Sequence, residues 1–160
     1  MKKALLSVAA LAAVSSASAA NYIGGFVGTD AGLHYQQDIS STSAMRYAIT
    51  GLGLFSGAVS IGGEVAYLND ATTGNTGGLD PYYGFGLGAG VGIGNGAAGV
   101  SLYPHVLGGL KYNLGATSPL TVFGELNAGP AIAFATTGSN SAAGVGFGWG
   151  ARIGLNYRLN

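Results

Sequence analysis

Apolar side chains alternate with Gly or polar side chains over most of the chain, and no other sequence feature restricts the fold as strongly. The last long run, Gly144 to Leu159, places Val145 and every second residue after it on one face, and all of these are apolar or amphipathic. The residues between them are all Gly or polar. Successive side chains point to opposite faces in a β-strand, so this run predicts a strand that is apolar on one face.

Five further runs show the same period of two. No stretch of ten or more residues has the period of an amphipathic helix, so the chain is predicted to be all-β with regularly spaced hairpins. These predicted strands lie within Met45–Phe55, Val59–Leu68, Tyr82–Gly94, Val100–Leu114 and Leu120–Ala135. Turn-forming residues separate them at Ser56–Gly57, Asn69–Pro81, Asn95–Gly99, Gly115–Pro119 and Thr136–Ala142.

Residues 1–19 have the layout of a secretory signal peptide. Lys2 and Lys3 precede the apolar stretch Ala4–Val14, and small residues follow as far as the A-x-A sequence Ala17–Ala19. The apolar stretch is shorter than the about 20 residues that a transmembrane helix needs. An N-terminal amphipathic helix is the alternative, which the lack of a polar face disfavours. We expect cleavage after Ala19 or Ala20, which leaves residues 20–160 as one domain.

The composition excludes several classes of protein. Charged residues are 8% of the chain, against about 25% in ordinary soluble domains. Without the two signal-peptide lysines, four cations face six anions, and no basic cluster indicates nucleic-acid binding. The chain has no Cys, which excludes disulfides, thiolate chemistry and a Cys-based zinc site. Its 48% hydrophobic content excludes a disordered polar chain.

The small number of charged residues indicates which face of the strands lies on the outside of the barrel and which faces its interior. A barrel with a wet outer surface would have too few charges to cover it. We therefore expect apolar side chains to face lipid and polar ones to face a narrow lumen, because a charge facing lipid at the midplane costs about 2–4 kcal/mol. Aromatic residues near strand ends, namely Phe55, Tyr67, Tyr112, Phe134 and Tyr157, suit the membrane interfaces. The candidate lumenal residues are Arg46, Glu64, His105, Lys111, Glu125, Arg152 and Arg158.

Two motifs give the chain a family resemblance. Pro81–Gly88 reads PYYGFGLG, and Arg152–Leu159 has the spacing of a C-terminal strand signal, although Leu159–Asn160 replaces a terminal Phe. The mature chain thus resembles the small eight-stranded outer-membrane β-barrels of OmpA/OmpX type, without the peptidoglycan-binding domain. The resemblance implies an antiparallel, up-and-down transmembrane β-barrel in the bacterial outer membrane. It also implies an assembly signal formed by Arg152, Gly154, Tyr157 and Leu159.

The same resemblance implies a strand count and partners. Eight is the smallest even number for such barrels, so residues 21–40 must supply two strands, Asn21–Gly28 and Leu33–Ile39, with a turn at Thr29–Gly32. The implied partners are outer-membrane lipids, the outer-membrane assembly machinery, periplasmic chaperones and an unidentified surface partner. Nucleic acid is not among them.

The sequence offers little for catalysis, a cofactor or a metal. Its two histidines, His34 and His105, have no nearby Cys or carboxylate cluster, and a strand separates Ser101 from His105 by too much for a nucleophile–base pair. Gly94–Gly99 matches G-x-G-x-x-G but precedes a strand rather than the helix that a dinucleotide site requires. We therefore predict a non-enzymatic protein with a structural or surface-interaction role. A small pore or a hydrophobic-ligand conduit is the alternative.

Overall fold

The computed structural model describes residues 19–51, 59–71, 78–94, 97–115 and 117–159. The predicted signal peptide, apart from its last residue, lies outside the described residues, as do Phe55 and the predicted turn Ser56–Gly57. Among the described residues no helix is long and apolar enough to cross a membrane.

Eight antiparallel strands, each bonded to its sequence neighbours, close into a barrel. β1 pairs with β2 on one edge and with β8 on the other, which completes the ring. The predicted fold class and the two N-terminal strands are therefore confirmed. The strands are β1 (Asn21–Gly28), β2 (Ala31–Asp38), β3 (Ser43–Gly51), β4 (Val59–Asp70), β5 (Leu79–Gly94), β6 (Ala97–Asn113), β7 (Leu120–Thr137) and β8 (Asn140–Arg158).

The strand registers tilt the strands and so fix the width of the barrel. Following paired positions from Phe26 through β2 to β7 leads to Gly144 on β8, whereas Phe26 itself pairs with Gly154. The sheet therefore closes with a stagger of ten residues (154 minus 144). A stagger of this kind requires tilted strands, and eight such strands leave an interior just wide enough for side chains.

Side chains alternate between the interior and the outer surface, as the period of two predicts. On β3, Arg46 and Ala48 are buried inside the barrel, whereas Ile49 between Ala48 and Thr50 is 66% exposed on the outside. On β8, Arg152 and Asn156 are buried and Ile153 and Leu155 are exposed. The outer surface is therefore apolar and the interior holds polar and charged groups.

Four strands start inside segments predicted as turns. They are β2, which begins at Ala31, β5 at Leu79, β6 at Ala97 and β8 at Asn140. Small residues such as Ala, Gly and Ser can continue a ladder as well as form a turn, because pairing depends on backbone groups. The β7–β8 hairpin needs only a tight turn, in which Gly138 has a φ of 60°.

Some inward glycines are required by close backbone contact. A Cβ on Gly129 would overlap the carbonyl oxygen of Pro104, whereas a Cβ on Gly146 would meet nothing within 4 Å. Backbone atoms cannot move aside as a flexible side chain can. The two glycines therefore form a matched pair of crowded and open positions.

We predict that Gly129→Ala destabilises the barrel by about 1–3 kcal/mol, as overpacking of a tight site does. Gly146→Ala is the control and should change stability little. The measurement is the temperature at which the folded, fast-migrating band is lost on SDS gels. Equal losses for both variants would contradict this account of Gly129.

Candidate functional site

Four charged side chains meet inside the barrel. Arg46 comes from β3, Glu64 from β4, Glu125 from β7 and Arg152 from β8, and all four occupy inward positions in the alternation. They are between 2% and 8% exposed. Strands β3 and β4 on one side of the barrel and β7 and β8 on the other thus bring the four side chains together. We call these four side chains the charged ring.

Each arginine in the charged ring contacts both glutamates. Arg152 donates from Nε to Glu125 Oε1 at 2.6 Å and from Nη1 to Glu64 Oε2 at 3.0 Å. Arg46 donates from Nη1 to Glu125 Oε2 at 2.9 Å and from Nη2 to Glu64 Oε1 at 3.2 Å. The two positive and two negative charges cancel, which is the condition under which buried charges are tolerated.

Polar and aromatic side chains surround the charged ring. Tyr82 donates from its hydroxyl to Glu125 Oε2 at 3.0 Å, and Asp30 Oδ2 lies 3.7 Å from Arg152 Nη1. The ring of Phe26 lies 4.6 Å from the Arg152 guanidinium carbon, within the range of a cation–π contact. The sequence predicts Asp30 only as part of a turn, since nothing in its local sequence shows that the turn lies against Arg152.

The other predicted lumenal residues lie outside the charged ring. His105 is buried, donates from Nδ1 to the Tyr103 carbonyl oxygen at 3.0 Å, and has Nε2 at 3.7 Å from Glu64 Oε2. Lys111 lies nearer the end with the chain termini and donates to Asp70 Oδ1 at 2.7 Å. Arg158 is exposed at the end of β8. Lys111 and Arg158 therefore lie apart from the ring, whereas His105 borders it beside Glu64.

His34 also lies in the interior, with its Nε2 at 2.5 Å from Asn156 Oδ1 and its ring stacked on Phe26. Within the described parts of the chain, no group of three His, Cys, Asp or Glu residues could hold a metal ion. Both histidines are thus built into interior packing and hydrogen bonding.

The residues of the predicted assembly signal have different surroundings. Arg152 belongs to the charged ring, and Gly154 faces inward, where a Cβ would overlap the ring of Phe123. Tyr157 and Leu159 are about half exposed, at 48% and 50%. Arg152 and Gly154 of the predicted signal thus contribute to the packing of the barrel interior. Recognition of the signal by the assembly machinery stays a prediction.

The charged ring lies between two interior cavities. One of about 280 Å³ lies toward the chain termini, and its lining includes Arg46, Asp70 and Lys111. The other, of about 220 Å³, lies on the opposite side, and its lining includes Glu64 and Tyr103. Because no charge of the ring is left without a counter-ion, the arrangement suits a closure rather than a reactive centre.

Three solved structures are similar to this chain, and the first of them supports the fold. The N-terminal β-barrel domain of Pseudomonas aeruginosa OprF matches with a TM-score of 0.55 and 12% identity, covering 88% of this chain and 96% of that one. A major outer membrane protein from Thermus thermophilus matches with a TM-score of 0.48 and 12% identity, covering 89% and 100%. Acinetobacter baumannii CarO2 matches with a TM-score of 0.44 and 11% identity, covering 88% and 98%.

No protein-family model and no curated protein sequence matches the chain. The identities to the solved structures are low, so the likeness concerns the fold. With the closed eight-stranded ring, it shows that the chain has the fold of the small outer-membrane β-barrels.

We predict that Glu125→Gln destabilises the barrel by about 3–5 kcal/mol, because it leaves two buried arginines with one carboxylate. Asp70→Asn is the control, since the Lys111–Asp70 pair is 29% and 40% exposed and such pairs contribute about 0–1 kcal/mol. Urea unfolding in detergent micelles, followed by the fluorescence of the single Trp, measures both. A loss no larger for Glu125→Gln than for the control would show that the ring does not stabilise the fold.

Proposed function

We propose that this protein is an integral outer-membrane β-barrel with a closed lumen, which serves as a structural element of the envelope or contacts a surface partner. The charged ring carries the proposal, because its two guanidinium groups and two carboxylates occupy the interior at one level and are bonded to one another from opposite walls.

The outer surface supports a membrane location. Large apolar side chains such as Phe85, Val106 and Leu126 are more than 60% exposed, an arrangement that water disfavours and lipid accepts. Exposed aromatic side chains lie toward both ends of the barrel, where membrane barrels have their aromatic girdles. Those nearer the chain termini are Tyr83, Tyr112 and Tyr157, and those toward the other end are Phe134, Phe147 and Trp149.

The proposed membrane location implies the remaining partners. An outer-membrane barrel would cross the periplasm with chaperones and be inserted by the assembly machinery. The C-terminal strand, with Tyr157 and Leu159 on its outer face, is the segment we propose for that recognition. Outer-membrane lipids would then cover the apolar surface.

A closed lumen favours this role over transport through the barrel. Eight strands leave room for little beyond side chains. The ring fills that room with long side chains held from both walls, and the cavities on either side are small. Ions could pass only if contacts such as Arg46–Glu125 and Arg152–Glu64 opened together.

The first test is migration on SDS gels of outer-membrane fractions, with and without boiling. We expect the protein in that fraction, with a folded form that resists SDS and shifts on heating. A soluble protein without a shift would overturn the membrane location.

The second test is conductance in planar bilayers. We expect no ohmic steps from the native protein, and steps from a folded variant in which Arg46, Glu64, Glu125 and Arg152 are all replaced by Ser. That variant removes equal positive and negative charge, so the ring leaves no unpaired buried charge behind. The control replaces Lys111 and Asp70 by Ser. Steps from the native protein that vanish on replacing Arg152 or Glu125 would favour a pore instead.

A further inference from the structure

The cavity of about 280 Å³ at the end with the chain termini has different chemistry at its inner end and at its mouth. Its lining includes Arg46 of the charged ring and the carboxylates of Asp38, Asp70 and Asp80. Asp80 and the lining residue Ser41 are exposed, so the cavity opens at this end of the barrel. A small molecule can therefore reach it without passing the charged ring.

The strand registers give the order of these groups along the barrel axis. Arg46 pairs with Ala66, and Asp70 lies four residues further along β4. Strands tilted by about 40° advance about 2.5 Å per residue along the axis, so Asp70 lies about 10 Å nearer the mouth than Arg46. Asp70 pairs with Tyr82, and Asp80 precedes Tyr82 by two residues on β5. A ligand that contacts both ends of the cavity must therefore be elongated.

The inner end offers one unused hydrogen-bond donor. Arg46 is 2% exposed, and its two terminal nitrogens donate to Glu64 and Glu125. Its Nε is buried and has no hydrogen-bond partner among the described residues. Because the two glutamates already balance the two arginines of the ring, a neutral oxygen suits this donor better than a carboxylate does.

The mouth carries more negative than positive charge. Apart from Arg46, the lining contains three carboxylates and one cation, Lys111, which gives a balance of 1 − 3 = −2. Lys111 donates to both carboxylate oxygens of Asp70, at 2.7 and 2.8 Å. Asp80 has no ion-pair or hydrogen-bond partner within the described parts of the chain. The mouth therefore favours a cation.

No other side chain of the predicted mature protein supplies the missing positive charge. Counting Arg158, at the nearby end of β8, still leaves 2 − 3 = −1. Every charged residue except Lys2 and Lys3 lies among the described residues, and these two lysines belong to the predicted signal peptide. The excess of negative charge at the mouth is thus a property of the sequence.

Apolar side chains line the cavity between its two ends. Leu68 and Phe123 are 6% and 3% exposed, and both belong to the lining. Leu68 faces inward on β4, midway between Ala66 and Asp70. A short hydrocarbon chain suits this middle part, because it leaves no polar group of the ligand unpaired.

We propose that this cavity binds a small linear amino alcohol. Its ammonium group would lie between Asp80 and Asp38, its alkyl chain would pass Leu68 and Phe123, and its oxygen would accept a hydrogen bond from Arg46 Nε. An ammonium group forms charge-assisted hydrogen bonds with carboxylates. The cavity is slightly smaller than the pockets of drug-sized ligands, so it admits a chain of about five carbons. The site depends on the end of the barrel and not on the proposed membrane location.

The experiment titrates the isotope-labelled barrel, folded in octyl glucoside micelles, and follows its backbone amide signals by NMR. The probe is aminopentanol with its two polar groups at opposite ends. Pentylamine, which lacks the oxygen, and pentanediol, which lacks the cation, are the matched probes. We expect saturable shifts at residues 43–46, 80–82 and 111–113. Aminopentanol should bind about tenfold more tightly than either matched probe, as one charge-assisted hydrogen bond would give.

Two variants and one control make the test specific. Asp80→Asn should weaken both amines about tenfold and leave pentanediol unchanged. Arg46→Lys keeps the positive charge but lacks the Nε donor, so aminopentanol should then bind no more tightly than pentylamine. Asp30→Asn, on the lining of the other cavity, removes the same charge and should change none of the affinities. The heat-induced gel shift shows whether each variant is folded, and the comparison of probes needs only the native protein.

Three results would overturn the proposal. Shifts that do not saturate, or that are equal for pentanediol and the amines, would show that the carboxylates do not select a cation. Equal affinities for aminopentanol and pentylamine would show that the inner donor takes no part. A loss for Asp30→Asn as large as that for Asp80→Asn would show that net charge, and not this cavity, determines binding. Each of these results leaves the proposed membrane location intact, because the titration is made on the folded barrel in micelles.

Discussion

Closure of the hydrogen-bonded ladder determines the rest of this structure. Because β1 bonds to β8 with a ten-residue stagger, the interior width is set by the backbone before any side chain is placed. Large inward groups can then be accommodated only beside small ones. His105 has Gly86 across the strand pair, and Phe123 lies over Gly154, positions where a Cβ would overlap the neighbouring ring. The inward glycines therefore provide the space that the few large inward side chains occupy.

The charged ring uses this narrow interior to connect distant parts of the chain. Arg46 and Glu125 are 79 positions apart in sequence, and Arg152 and Glu64 are 88 apart. A buried ion is costly alone, and the ring satisfies each carboxylate with donors from two arginines. Carboxylates engaged in this way have little capacity left for a ligand or a transferred proton, which is why we propose that the ring closes the lumen. The fold comparison concerns the architecture of the barrel, and this proposal rests on the ring alone.

The alternation of residues was enough to predict the last six strands and to place Arg46, Glu64, Glu125 and Arg152 on inward faces, whereas the first two strands followed from the strand count of the family that the chain resembles. It could not predict which arginine contacts which glutamate. These contacts depend on the stagger of the sheet and the tilt of the strands, and neither can be derived from the sequence of one strand. Strand starts at Ala97 and Asn140 were missed because small residues suit ladders and turns alike. The role of Asp30 was missed for a related reason. Its contact with Arg152 exists only because β1 and β2 are short and their turn lies halfway along β8.

For the membrane location proposed above, the placement of the ring within hairpins has a consequence for how the chain would enter a bilayer. Arg46 and Glu64 belong to the β3–β4 hairpin, and Glu125 and Arg152 are direct cross-strand partners in the β7–β8 hairpin. Each hairpin therefore carries one cation and one anion of the ring, and these two charges cancel before the other hairpin arrives. Insertion hairpin by hairpin needs no step in which an isolated ring charge crosses hydrocarbon. Final closure only adds contacts between hairpins to those within them, so the ring charges stay balanced at each stage.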